Sequence, residues 1–573
     1  MNQFLDRIIE YANLETENEV LFIFPTKRAN SLFKEGLFRA NNTARIVPQC
    51  ITWSEFVDEI SPYQTLTSSQ SVFFLYDSYI KLYPQPSELT FSTFQQWGKT
   101  VFADFESLVL NNLEGQKVLS EANYIKVLEK WELDPDKSVH FKNIWAQLPG
   151  LFDAFYNRLE TEKFQTSSTK FKHAKMGFES GGHFFGAKLK RFVFCGFTAF
   201  SPVEKLLIET FSEKGEIVSF YDEPIWNSIS PNHESNTFKE EHIQLFDKVE
   251  IVAPNLDAKT IKSFECANDF IASKTVSSLL DSLPENEHDQ TAIVLLNDDD
   301  LPLILNGLPR QISTANIGKG KSFLNTHEGE ALLFFIDLFE EYKRAGKVSK
   351  KHVNQMLKLP LILNLIGVKN RTCFYDFFSK ENHQFYSLES LVNVQNNRVL
   401  IGVLKLLGNC INLEQFISEI GQLKSLQFEF LKGLVNDVKS DIAEFKIIDE
   451  FQKDYFRFSI VENVRGLSVS ISGLKSNGLQ ILSLLESRCL DFKNLIVLSF
   501  HDENLPQSSL VTNLPIETRN QYKIPDLRHR EAILSYHFMR LLKRGANISL
   551  IYNRDSSGFN TQTPSRYLLQ NAL

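Results

Sequence analysis

Two stretches of this chain hold the residue types that phosphate chemistry uses. The first is Gly318-Lys319-Gly320-Lys321-Ser322. A phosphate-cradling loop has the form GxxxxGK[ST]: backbone amides wrap the phosphates, the lysine reaches their oxygens and the hydroxyl binds a magnesium ion. Gly320, Lys321 and Ser322 match the end of that pattern. The glycine required five residues before Gly320 is Ala315, and only a weak, polar strand leads in. A phosphate loop must leave a buried strand and open a helix. The stretch, Gly318, Gly320, Lys321 and Ser322 included, therefore reads as a decoy, and an ATP-dependent enzyme using it stands as the alternative. The second stretch is Pro25-Thr26-Lys27-Arg28, a basic turn that follows the apolar run Val20-Leu21-Phe22-Ile23-Phe24 and precedes a helical pattern. Its charges suit phosphate contact, which sets position through charge alone.

Carboxylates give weaker signals. Asp298, Asp299 and Asp300 end a strand at 291–296, but three consecutive acids cannot all face one ion, so a solvated loop and helix start is expected. A nuclease with paired acids and a Glu-x-Lys needs them on neighbouring strands. Asp441, Glu444 and Lys446 lie in a helical pattern instead. No catalytic residue is assigned.

These residues must be held by something. Apolar runs at 20–24, 191–195, 217–222, 291–296, 495–500 and 548–552 read as strands, the one at 495–500 buried on both faces. Pro25-Thr26-Lys27-Arg28 and Gly196-Phe197-Thr198 are the turns after two of them, and the loop His501-Asp502-Glu503-Asn504 after 495–500 lies where open α/β sheets place ligands. Within Ile51-Thr52-Trp53-Ser54-Glu55-Phe56 a Thr or Ser cap opens a helix, and Ser201 caps another with Pro202 in its first turn. From about 64 to 156 and from 326 to 454 the text is helical, with apolar residues at spacings of three and four. Trp97, Phe102 and Phe105 are expected to be core and not a base-stacking platform. Residues 165–182 read as loop, 226–252 as a polar boundary, and 456–472 as a return to strand.

Bulk properties narrow the class. At 573 residues the chain exceeds one core. Its 49 Phe residues make aromatic packing the dominant core contact. A net charge of −9 disfavours an extended basic surface for nucleic acid, although a local groove is compatible with it. The six Cys include no CxxC pair, which signals neither a zinc site nor a disulfide framework. No apolar run approaches the roughly 20 residues that cross a bilayer, and the cytoplasm is the expected location.

One stretch carries a resemblance. Residues 484–506, LLESRCLDFKNLIVLSFHDENLP, resemble the motif V region of AddB-type subunits of bacterial helicase–nucleases, relatives of the superfamily 1 helicases UvrD and RecB. IFPTKRANSLFKEGL resembles their DNA-contacting motif Ia segment. Residues 528–570 resemble their motif VI region through Arg530, Glu531, Tyr536, Ser565 and Arg566. The chain departs from active helicases in three respects. It lacks the Thr-x-His-x-(Ala/Ser)-Lys-Gly-x-Glu signature. It has no Walker A loop beside the first strand. Cys195-Gly196-Phe197 stands where the magnesium-binding acids would be.

The resemblance implies an α/β fold with two RecA-like, P-loop-NTPase-like parallel-sheet domains, each with a helical insertion. The first domain would comprise 1–63 and 165–255 with 64–164 inserted, and the second 256–325 and 455–573 with 326–454 inserted. It implies an inactivated helicase-like DNA-binding part of a double-strand-break repair and recombination machine, without ATP hydrolysis of its own. Candidate DNA contacts are Lys27, Arg28, Thr52 and Trp53 in the first domain and Arg488, Arg530 and Arg544 in the second. Arg544 lies where an active helicase sets an arginine on the nucleotide. The implied partners are single-stranded or broken DNA and an AddA/RecB-like helicase subunit. ATP with magnesium and an iron–sulfur cluster enter only by analogy with the family. Such relatives continue into a nuclease domain where this sequence stops at Leu573. A scaffold that holds a helicase and touches no DNA is the remaining alternative.

Overall fold

The computed structural model describes residues 3–14, 19–40, 48–84, 90–124, 135–180, 189–224, 232–253, 259–318, 321–366, 383–393, 398–423, 426, 428–469, 478–505, 512–554 and 563–568. Two parallel sheets organise the chain. The first is built from β1 (Val20–Phe24), β2 (Gln49–Thr52), β3 (Arg191–Cys195), β4 (Glu216–Asp222) and β5 (Lys248–Val252), in the order β2-β1-β3-β4-β5. The second holds β6 (Thr260–Cys266), β7 (Thr291–Leu295), β8 (Ala315–Ile317), β9 (Leu479–Ser483), β10 (Asn494–Leu498) and β11 (Asn547–Asn553), ordered β8-β9-β7-β10-β11-β6. Every neighbouring pair in both sheets is parallel.

The strands are apolar throughout because both faces are covered. Val20, Phe22 and Phe24 point into one cluster, Leu21 and Ile23 into another. Helices α1 (Gln3–Leu14) and α2 (Lys27–Ala40) cover the first face; α3 (Trp53–Ile60) and α4 (Pro202–Ser212) cover the second. In the second sheet Ala292 and Val294 face one way, Ile293 and Leu295 the other. The decisive feature is that Val20, Phe22 and Phe24 share their cluster with Ala292, Val294, Leu495 and Val497. The two sheets, α1, α2 and α6 (Leu527–Leu542) thus bury one common core. Each large side chain in it contributes about 2–3 kcal/mol by leaving water.

The helical segments behave likewise. Residues between 66 and 159 and between 323 and 464 belong to a single hydrophobic cluster. Polar pairs bridge it: Asp441 accepts from Gln70 at 2.9 Å and from the Tyr455 hydroxyl at 3.0 Å. The sequence reads as two insertions; packing makes them one helical body. Phe105 is fully buried there, and Trp97 packs against Phe94 and Tyr79.

The polar boundary expected at 226–252 holds a helix, Lys239–Leu245, and the edge strand β5, and two further expectations fail. Residues 456–472 are expected to be strand, yet Asp449–Gly466 is helix α5 and, among the described residues, only Ser468–Val469 of this range pairs as a strand, 470–472 lying outside them. Alternating aromatics in YFRFSIV satisfy both periods, and Tyr455, Phe458 and Val464 bury in the helical one. Residues 165–182 were expected to be loop, yet Lys170–Glu179 forms a helix that buries Phe171, Ala174 and Phe178 against the first sheet.

Candidate functional site at the carboxyl edge of the first sheet

The chain leaves β1 toward β2 on one side and, later, leaves β3 toward β4 on the other. The carboxyl ends of β1 and β3 therefore flank the crevice where α/β sheets of this kind take ligands. Its walls are the turn at 25–28 and the turn at 196–198.

In this molecule protein fills much of that crevice. Gly196 adopts φ +71°, open to glycine and strained for others, and a Cβ there would collide with the Cys489 sulfur. Cys489 itself is held at φ +64° and its thiol points to the Cys195 carbonyl at 3.7 Å. A non-glycine residue in that region stores strain that its surroundings must hold. Arg28 reaches the other way and donates to Gln480 Oε1 at 2.6 Å, beside Glu486 and Gly318.

Further along the same edge lies a buried ion cluster. Asp222 ends β4 and is 1% exposed. It pairs with Lys543, with Arg544 at 2.9 Å and with Arg540 at 3.4 Å. Asp491 takes Arg544 at 2.8 Å and the backbone N–H of Phe4 at 3.1 Å. Arg540 donates to the carbonyls of Ser487 at 2.6 Å and Leu490 at 2.9 Å. Lys543 donates to the carbonyls of Glu223 at 2.6 Å and Val252 at 2.9 Å, the ends of β4 and β5. Burial raises the Asp222 carboxyl, but Lys543, Arg544 and Arg540 outweigh burial and hold it at about 2. Burial also draws the Lys543 ammonium down to about 8, against the pull of Asp222. Both groups stay charged at neutral pH, so α6 of the second sheet is tied electrostatically to the first.

The residues singled out from sequence separate into two sets. Thr52 caps α3: its hydroxyl accepts from the Glu55 N–H, and Glu55 accepts from the Thr52 N–H at 3.2 Å. Trp53 is 8% exposed, donates its indole N–H to Glu204 at 2.8 Å and stacks among Phe56, Phe171 and Phe194. The Arg544 side chain is 3% exposed and spent on Asp222 and Asp491. These three hold the fold. Lys27 is exposed, paired loosely with Glu55 at 3.3 Å, and Arg530 is exposed on the first turns of α6. Arg28 and Arg488 lie between these extremes, half-buried at the contact of the two sheets.

Lys321 and Ser322 form a two-residue strand antiparallel to Ser468–Val469, where a phosphate loop would open a helix. Gly320 lies outside the described residues, and Gly318 donates its N–H to the Ile481 carbonyl at 2.8 Å. Among the described residues no group of three or more His, Cys, Asp or Glu is placed to hold a metal, and no helix is long and apolar enough to cross a membrane.

Sequence reading missed Asp222, Asp491 and Lys543. Asp222 ends a strand as any solvated acid could, and Lys543 sits where last-turn cations are ordinary. No local signal distinguishes them from surface charges. No protein-family model matches the chain, and no curated protein matches it.

Proposed function

We propose that this chain is a DNA-binding, motor-dead relative of the superfamily 1 helicase–nucleases of the AddB type, with two RecA-like domains, working in double-strand-break repair beside an AddA/RecB-like helicase subunit. One observation carries the reading. The carboxyl edge of the first sheet, the place for a nucleotide in such a fold, is closed by α6 and the turn at 486–489 through permanently paired charges. A motor must open and close that gap in each cycle, whereas this contact is buried and tied by ion pairs and hydrogen bonds. Breaking such a buried pair costs about 3–5 kcal/mol. The reading therefore assigns the chain grip without turnover, and no nucleotide, magnesium or iron–sulfur cluster of its own.

DNA contact on this reading falls to Lys27 and Arg530, with Arg28 beside Lys27 in the turn after β1. Thr52, Trp53 and Arg544 set the geometry from within. The test is single-strand binding by fluorescence anisotropy across a salt series, with ATP turnover measured in parallel. The expected outcome is salt-dependent binding without turnover, the log–log slope shrinking by about 0.7 for each of Lys27→Gln and Arg530→Gln. ATP hydrolysis stimulated by oligonucleotide would end the reading. Absent or salt-insensitive DNA binding would favour a scaffold that holds only the helicase partner, a role with which the net charge of −9 agrees.

A further inference from the structure

The chain carries a net charge of −9, yet one turn of the helical body reverses that sign. From Lys343 to Lys351, five of nine residues are cations and none is an acid: Lys343, Arg344, Lys347, Lys350 and Lys351. The fold gathers them. The helix His327–Ala345 ends at Gly346, whose φ of +67° turns the backbone out of the helix. Val348–Ser349 then pairs antiparallel with Phe385–Tyr386, and Ser349 caps the helix Lys350–Met356. Lys343, Arg344, Lys347 and Lys351 are exposed around this reversal.

Among the described residues no carboxylate lies within ion-pair distance of Arg344, Lys347 or Lys351. The acids nearest in the same helix are engaged elsewhere. Glu341 takes His352 and, at 3.1 Å, the Ser349 hydroxyl; Asp337 and Glu340 take Arg457 at 3.1 and 3.0 Å. Lys343 lies over the Phe339 and Tyr342 rings, 5.4 and 5.8 Å from their centres. Local stability does not account for the placement. Last-turn Lys343 and Arg344 suit the helix dipole, but Lys350 and Lys351 stand in a first turn, where the dipole disfavours cations. Five like charges within nine residues also repel one another. A polyanion relieves both costs.

A second observation narrows the polyanion. Phe385 sits opposite Ser349 in the ladder and is 49% exposed. Lys350 donates its backbone N–H to the Gln384 carbonyl at 2.8 Å, which fixes the ring beside the lysines. Tyr386, the next residue, is 2% exposed, so the same short strand buries one aromatic and presents the other. An aromatic face held in water among cations suits an unpaired base, which stacks on the ring while its phosphates take the charges. A duplex offers no free base face. A membrane surface calls for several apolar anchors, and here there is one. We propose that the turn 343–351 together with Phe385 binds single-stranded nucleic acid. This contact is separate from the one assigned to Lys27 and Arg530 and does not depend on it.

The test is fluorescence anisotropy of the full chain with labelled oligothymidylate across a salt series. Lys347→Gln combined with Lys351→Gln should lower the log–log slope by about 1.4, about 0.7 for each phosphate contact. Phe385→Ala should weaken binding about tenfold at an unchanged slope. All three side chains are exposed, so the variants should melt with the parent. Amide hydrogen exchange should slow over 343–351 and 384–386 when the oligonucleotide is bound. An unchanged slope in the double variant overturns the proposal, even where Lys27→Gln and Arg530→Gln lower it. A fall in the double variant alone upholds the proposal and removes DNA contact from the turn after β1. Unchanged affinity in Phe385→Ala, or a duplex bound as tightly as the single strand, overturns the single-strand assignment. Poly-glutamate bound as tightly, with the same loss in the double variant, makes the patch a surface for an acidic protein and overturns the proposal as well.

Discussion

The carboxyl edges of the two sheets treat a buried aspartate in opposite ways. On the first sheet Asp222 has three cations around it and is held at about 2. On the second, Asp300 follows β7, is 5% exposed, and has one hydroxyl, Ser499 Oγ at 2.5 Å, with Asp269, Asp298 and Asp299 nearby. Burial and those acids lift it to about 6. Burial opposes charge at both sites, so the partners decide. The first edge is a clamp between sheets, sealed at neutral pH. The second is a self-contained turn, where Ser499 adopts φ +56° and His501 accepts from the Asn553 N–H at 2.8 Å. An edge that must hold another sheet recruits charge; an edge that caps itself manages with neutral groups.

The contrast can be broken by mutation. Asp222→Ala strands three buried cations, and the expected loss is about 3–5 kcal/mol, read from a denaturant midpoint at pH 7. A loss below about 1 kcal/mol would show that the clamp holds nothing. Asp300→Asn should do the reverse. It removes a charge that burial disfavours while leaving an oxygen for Ser499, so stability at pH 7.5 should rise by about 1–2 kcal/mol. A clear fall would mean that the Asp300 carboxylate has a partner of its own.

The pH profile sharpens the same comparison. The Asp222 carboxyl lies below its ordinary 3.8, so its contribution is present above that value and lost as pH drops toward 2, about 2 kcal/mol in all. The Asp300 carboxyl lies above its ordinary 3.8, so the folded state holds the extra proton between pH 4 and 6. Stability should therefore fall as pH rises through that window. Asp104, lifted to about 6 by burial, adds to the same limb. Asp300→Asn should shallow the pH 4–6 limb and leave the loss below pH 4 untouched. Smallest of all, Trp53→Phe removes the indole bond to Glu204 and should cost about 1 kcal/mol without changing the salt slope of DNA binding. A changed slope would return Trp53 to the DNA surface.

Much of the fold was legible in local text. The runs at 20–24, 191–195 and 291–296 become β1, β3 and β7 almost residue for residue, because a strand covered on both faces tolerates little but apolar side chains. Ser201 caps its helix before Pro202 as expected, and Thr52 is the cap of the other, each completed by a glutamate three residues on that the structure reveals. Where the text failed, two periods fitted one run, as at 456–466, or half-exposed residues hid an edge strand, as in β5. The site was less legible. Arg544 is recognisable as a residue of consequence, but its partners, Asp222 and Asp491, lie 322 and 53 positions away.

By its own pattern of apolar runs, caps and polar turns, the chain determines where strands and helices form and which turns end the strands. Those are choices made within a dozen residues, where backbone bonding and side-chain period suffice. Only the tertiary structure decided that two helical stretches share one core and that both sheets do the same. It also decided which of many similar charges are locked and which are free. Burial and pairing depend on what arrives from hundreds of residues away. The Asp300 carboxyl and the Asp222 carboxyl are the same chemical group at the same kind of strand end, and only their neighbours set them four pH units apart.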